Sequence, residues 1–136
     1  MKRTLFFPCV ALLALASCAE RRGPERVAEQ FMSAYLDCRF QDAASLASPS
    51  VQDRVRWRAS QLTQADLDLL ADQSAEVETD DLEDYGDSAI VSVDVSDALL
   101  LDSIGQPGHI GDARYRLTLK KEKGSNWKVT ALISNF

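Results

Sequence analysis

From Pro24 onward the apolar positions follow two periods in turn. Val27, Phe31, Ala34 and Tyr35 recur at three- and four-residue spacing, with Ala28 and Met32 beside them and Cys38 closing the stripe. That spacing predicts one face of an amphipathic helix. Gly23-Pro24 opens it, with proline at the tolerated first position and Glu25 at the positive end of the helix dipole. A second short helix is predicted over about 41–47, stopping before Ser48-Pro49. Ser50-x-x-Asp53 and Thr63-x-x-Asp66 read as capping boxes that open two further helical pieces. The first of these carries Val51, Val55 and Leu62, and the second carries Leu67 and Leu70.

Near Ser74 the period falls to two. A strand over about 75–82 runs into a turn at Tyr85-Gly86-Asp87. Val91, Val93 and Val95 then alternate with Ser92, Asp94 and Ser96, a half-buried strand continuing toward Leu101. Gly105, Pro107, Gly108 and Gly111 predict a long loop over 103–112. Tyr115, Leu117 and Leu119 alternate next, and after a turn over 123–126 Trp127, Val129, Ala131 and Ile133 form the last inward row. Helices followed by a meander of about four antiparallel strands make an α+β layout, with the helices packed on one face of the sheet.

The residues ahead of this domain carry a different signal. Lys2 and Arg3 precede an apolar run from Leu5 to Ala16. The run is shorter than the roughly 20 residues a bilayer span requires, and Pro8 interrupts it. Basic start, short apolar run and small residues together read as an export leader that is removed. Leu15-Ala16-Ser17-Cys18 ends that leader. These four residues resemble the lipobox of bacterial lipoproteins, an aliphatic residue, two small residues and a cysteine. An ordinary secretory signal with a chance cysteine is the competing reading. The resemblance implies that Cys18 is diacylglycerylated, that cleavage follows Ser17, and that the new terminus is often N-acylated. A cysteine thiolate is the side-chain nucleophile suited to forming such a thioether. Two or three acyl chains, at roughly 0.8 kcal/mol per buried methylene, give essentially permanent attachment. The chain thus divides into a signal peptide (1–17), a lipidated tether (18–23) and one α+β domain (24–136). The tether spans at most about 20 Å, and Arg21 and Arg22 favour anionic head groups. Ala19 after the cysteine implies, for a Gram-negative host, the outer membrane facing the periplasm.

A second resemblance concerns the domain. The opening "ERVAEQFMSAYLDCRFQDAASL", the later hairpins and the closing "RYRLTLKKEKGSNWKVTALI" look like the nuclear transport factor two-like superfamily. It implies a cone in which the helices pack on a curved antiparallel sheet; a cystatin-like arrangement is the nearest competitor. The fold hosts enzymes, binding proteins and scaffolds, so it implies no single activity. If the sheet encloses a ligand pocket, Tyr35, Tyr115 and Trp127 are candidates to line it; plain core packing is the alternative for all three.

Composition narrows the chemistry. The chain has 136 residues, a formal net charge of −6, three cysteines and one histidine. An acidic chain has no general electrostatic attraction for nucleic acid. A histidine-rich metal site is excluded, and no His-Glu-x-x-His, Gly-x-Ser-x-Gly, phosphate-binding glycine loop or Cys-x-x-Cys occurs. His109 reads as an exposed loop residue, with acid–base chemistry as its alternative role. Cys38 reads as a small buried hydrophobe. No Lys or Arg occurs between Arg58 and Arg114, while Asp80 to Asp87 is strongly acidic. That segment fails the calcium-loop template and reads as a charge-blunted hairpin. Arg54 and Arg58 read as a solvated arginine face with Trp57 in the core; a second membrane contact through the arginines and Trp57 is the alternative. The expectation is a lipid-anchored envelope protein, non-enzymatic, serving binding or envelope assembly. Its partners are membrane lipid through Cys18 and an unknown envelope protein or small ligand. No catalytic residue, metal or cofactor is expected beyond the covalent lipid. The alternative is a cone-fold enzyme or carrier acting on a small apolar molecule.

Overall fold

Helices α1 (Pro24–Leu36), α2 (Phe40–Ser45), α3 (Pro49–Gln61) and α4 (Gln64–Ala71) precede strands β1 (Glu76–Asp84), β2 (Ser88–Leu100), β3 (His109–Lys121) and β4 (Trp127–Asn135). The structure, a computed structural model, describes residues 23–101, 107–122, 124 and 126–135. The leader and the lipobox residues Leu15, Ala16, Ser17 and Cys18 lie outside the described residues, as does the tether up to Arg22. The strands pair in sequence order as an antiparallel meander, and the helices pack on it, the expected α+β arrangement. β3 begins at His109 and pairs from there with Leu100. His109 is therefore an exposed strand residue and not part of a loop reaching Asp112.

The core forms where α1 crosses the sheet. Phe31, Met32 and Leu36 are fully buried with Val91, Val93, Leu117, Leu119 and Val129, and α1 touches all four strands. Each such side chain contributes roughly 1.5–3 kcal/mol on leaving water. Gly23 and Pro24 start α1 as expected, Pro24 lacking only an N–H that has no helical partner. Its end departs from expectation. Cys38 lies past the helix at φ 64°, and the Arg39 amide donates to the Ala34 carbonyl at 2.8 Å. This is the Schellman closure, with cysteine at the left-handed position that favours glycine. Cys38 is consequently half-exposed and is no member of the buried stripe.

Each strand pair carries one register shift, at Thr79/Asp81, Val95/Ala98 and Thr118/Leu119. An extra residue bends a strand and reverses which face the following side chains take. On β1 the inward phase passes from Val77 and Thr79, which face Val95 and Val93, to Leu82, which faces Val91. On β2 the extra chain sits at Ser96 and Asp97, the latter at φ 56°. On β4 Trp127 and Val129 point inward, and the phase then changes at Thr130 so that Leu132 is buried and Ile133 is 54% exposed. The uniform row Trp127–Val129–Ala131–Ile133 is thereby corrected.

The sheet edges are managed differently. Beside β4, the Ser48 amide donates to Val129 O and the Val129 amide to Leu46 O, both at 2.9 Å. Arg54 Nη1 donates to Leu132 O at 2.6 Å, covering the edge further along. β1 instead carries exposed acids, which oppose edge-to-edge pairing. Gly86, at φ 85°, makes the turn between β1 and β2.

Two capping boxes were expected and one forms. α3 starts at Pro49 with Ser48 as its N-cap, because proline presets the first helical turn. Ser50 is already inside the helix, and Asp53 pairs with Arg56. At α4 the Thr63 amide donates to Asp66 Oδ2 (2.9 Å) and the Asp66 amide to Thr63 Oγ1 (3.3 Å), a complete box.

Candidate functional site

α3 brings Val51, Val55 and Arg58 to one face, at spacings of four and three residues. The two valines enter the core, and Arg58 continues their row past its edge to the C-terminal end of α1. There its side chain is 3% exposed. Nε donates to Tyr35 O at 2.9 Å, and Nη2 to Leu99 O at 2.7 Å and Leu36 O at 3.4 Å. The guanidinium also lies 4.9 Å from the centre of the Tyr35 ring. Tyr35 and Leu36 end α1, where carbonyls lack helical partners and the dipole favours a cation. Leu99 belongs to β2, so one side chain joins helix α1, helix α3 and the sheet. Burial of a charge costs several kcal/mol unless it is well hydrogen-bonded, and these acceptors supply that requirement.

Around Arg58 opens a cleft of about 520 Å³, lined by Tyr35, Arg54, Trp57, Leu100, Leu101, Tyr115 and Ser134. Phe31 stacks behind Tyr35, with ring centres 5.6 Å apart. Ser134 stands opposite Tyr115 on β4. Burial pushes the Tyr115 phenol above its ordinary range, so it keeps its proton at neutral pH. Tyr35 and Tyr115, two of the three aromatics named from sequence, therefore meet at one cleft. Trp127 does not: it packs at the start of β4, with Lys121 Nζ 5.3 Å from its ring centre. The arginine-rich segment of α3 is also redistributed. Arg58 is buried where a solvated face was expected, and Trp57 is 42% exposed where a core residue was expected.

Asp66 lies near enough to Arg58 for their charges to interact. It is 1% exposed, and besides the Thr63 amide it accepts the Gly108 amide at Oδ1, 2.9 Å away. A Cβ at Gly108 would lie 2.8 Å from the terminal methyl groups of both Leu99 and Leu101, so glycine fits the close approach without a shift of those side chains. Burial pushes the Asp66 carboxyl up. The Thr63 and Gly108 hydrogen bonds, with the nearby Arg58 charge, outweigh that and hold it below the usual carboxylate range. Meanwhile Leu67 and Leu69 of α4 are exposed. The sequence placed Leu67 inward and gave Asp66 only a cap.

Elsewhere the acids are paired or spread over the surface. Arg114 bridges Asp94 (Nε to Oδ1, 2.8 Å) and Asp80 (Nη2 to Oδ2, 2.6 Å) across the outer sheet face. The hydrogen bond from Arg114 holds the Asp94 carboxyl below its ordinary value. Among the described residues no group of three or more His, Cys, Asp or Glu is placed to hold a metal ion. No described helix is long and apolar enough to cross a membrane. A second cleft, about 500 Å³, runs between α1, α2 and β1, lined by mixed charges such as Arg26, Glu29, Arg39 and Asp42. Its groups bond to one another or to neighbours: Arg39 to Ser33 and Asp42, Glu29 to Thr79.

Compared with protein-family models the chain matches none, and no curated protein matches it. A solved structure titled "Ntf2 like protein involved in plasmid conjugation" is similar over 82% of this chain and 47% of that one. The two share 16% sequence identity with a TM-score of 0.43. This chain thus spans about half of that protein's length, and a similarity this distant carries no argument about role. The architecture described above rests on the strand pairing and helix packing themselves.

Proposed function

We propose that this chain is a cell-envelope lipoprotein, held at a membrane by lipid on Cys18, whose α+β domain is a non-enzymatic binding module. The observation that carries the reading is the placement of Leu15-Ala16-Ser17-Cys18 directly after a basic and apolar leader and just ahead of the helix start at Pro24. A tether that short keeps the domain within about 20 Å of the bilayer. The cleft beside Arg58 supports the binding role, since it joins aromatic and aliphatic walls to a few fixed polar groups, the usual make-up of a ligand site. In a host with two membranes, Ala19 favours the outer one, with the domain facing the periplasm. Radiolabelled palmitate supplied to cells making the wild-type chain or Cys18→Ser, followed by membrane fractionation, tests the anchor. Label and membrane retention are expected for the wild type alone. Equal labelling of the Cys18→Ser chain would overturn the reading.

A further inference from the structure

We propose that the cleft at the end of α1 binds an organic anion, a carboxylate carried on a compact apolar body. This deepens the binding-module reading and rests on it. Arg54 and Arg58 stand four residues apart on α3, and both line the cleft, while among the described residues no Asp or Glu lines it. In a chain of net charge −6 this is a local reversal of sign, and two like charges at that spacing repel each other. An anion between them removes the repulsion.

Arg58 carries the stronger argument. A guanidinium stays charged at any accessible pH, and this one is almost completely removed from water. The ion pairs among the described residues are Arg39–Asp42, Arg56–Asp53, Arg114–Asp80 and Arg114–Asp94; none involves Arg58. Its Nε and Nη2 are fixed on backbone carbonyls, whereas Nη1 donates to no acceptor among the described residues. Asp66 acts on Arg58 only through its field, because its oxygens are committed to the Thr63 and Gly108 amides. Among the described residues the fork is therefore held rigid on one side, with Nη1 the nitrogen they leave unengaged. Charge-assisted hydrogen bonding to a carboxylate uses that nitrogen. The walls select the remainder of the molecule. Tyr35, Trp57, Tyr115, Leu100 and Leu101 offer rings and methyl groups, which a bare inorganic anion leaves unused. A volume near 520 Å³ lies in the range of small-molecule sites.

The test uses the full lipidated chain in phosphatidylcholine nanodiscs, with both tryptophans labelled as 5-fluorotryptophan. Three water-soluble probes of one skeleton are titrated: 4-phenylbutyrate, 4-phenylbutanol and 4-phenylbutylamine. Fluorine resonances then report Trp57 at the cleft and Trp127 as a distant control. The acid is expected to shift Trp57 with a Kd roughly 10-fold or more below that of the alcohol, with the amine weakest and Trp127 still. Arg54→Gln, which gives up the guanidinium's bond to Leu132 O and leaves Arg58 in place, is expected to shrink the acid-to-alcohol ratio to about three-fold or less. Equal binding of acid and alcohol at Trp57, or preference for the amine, would overturn the anion selectivity and leave the binding-module reading standing. A ratio unchanged in Arg54→Gln would overturn the two-cation site. Absence of any Trp57 shift with all three probes would overturn this proposal and the cleft's binding role together.

Discussion

Methionine in place of Arg58 keeps the aliphatic stem and removes the fork that joins α1, α3 and β2. Three carbonyls lose their donor, those of Tyr35, Leu36 and Leu99. Two of these bonds are short enough to count as strong charge-assisted contacts, each worth about 1.5–3 kcal/mol, and the third, at 3.4 Å, is weak. Against that loss, the variant no longer buries a charge, and the new thioether gains about 1–2 kcal/mol from burial. The net expectation is destabilisation by about 2–3 kcal/mol. Arg58→Lys separates geometry from charge: a single ammonium cannot serve carbonyls of both α1 and β2, so about 1–2 kcal/mol is lost although the charge remains. Urea denaturation of both variants and the wild type, followed by circular dichroism, gives the differences with m-values as a check on compactness. Arg58→Met equal to or more stable than the wild type would refute the view that this arginine ties the helical layer to the sheet.

Further expectations concern the strained and buried positions. Because Asp66 has a lowered carboxyl pKa in the fold, its contribution is complete above the ordinary aspartate range near 3.8 and is lost as pH falls through its lower folded value. Asp66→Asn should therefore cost about 1–2 kcal/mol at pH 7 and lose less stability than the wild type on acidification below pH 4. Parallel acid-denaturation curves would contradict this. Cys38→Gly should stabilise by about 0.5–1 kcal/mol, since glycine adopts the left-handed conformation without the Cβ clash; a lower melting temperature would count against the Schellman assignment. The phase change in β4 predicts opposite responses from neighbours: Leu132→Ala should cost about 2–3 kcal/mol, while Ile133→Thr stays within about 0.5 kcal/mol. Similar losses at both positions would mean the bulge at Thr130 is misplaced.

Existence and order of the elements were legible because long runs keep one period: Phe31, Tyr35 and their neighbours on α1, Val91–Val93–Val95 on β2, Tyr115–Leu117–Leu119 on β3. Side-chain phase was not, wherever an extra residue entered a strand. Nothing local distinguishes Asp80, Asp97 or Thr130 from an ordinary strand residue, and only the partner strand shows that the register slips. Pro49 and Thr63 illustrate the same contrast at helix starts, since a preset φ overrode a side-chain box at one and left it intact at the other. Two aromatics of the cleft, Tyr35 and Tyr115, are legible in the sequence as candidates, but its charged centre is not. Val51, Val55 and Arg58 lie on one helical row, and that spacing was the available signal. It was masked because arginine four residues from arginine looks like a solvated face. The carbonyls that make burial tolerable come from Tyr35, Leu36 and Leu99, distant in sequence and unmarked by any motif. Asp66 is a similar case, legible as a cap but not as the acceptor of the Gly108 amide.

Attachment through Cys18 is tested most directly by intact mass spectrometry of the chain extracted from its own membranes. A polypeptide starting at Cys18 and carrying a diacylglyceryl thioether, with or without an N-acyl chain, is the expected species. A leader still in place, or a processed terminus bearing a free thiol, would contradict it.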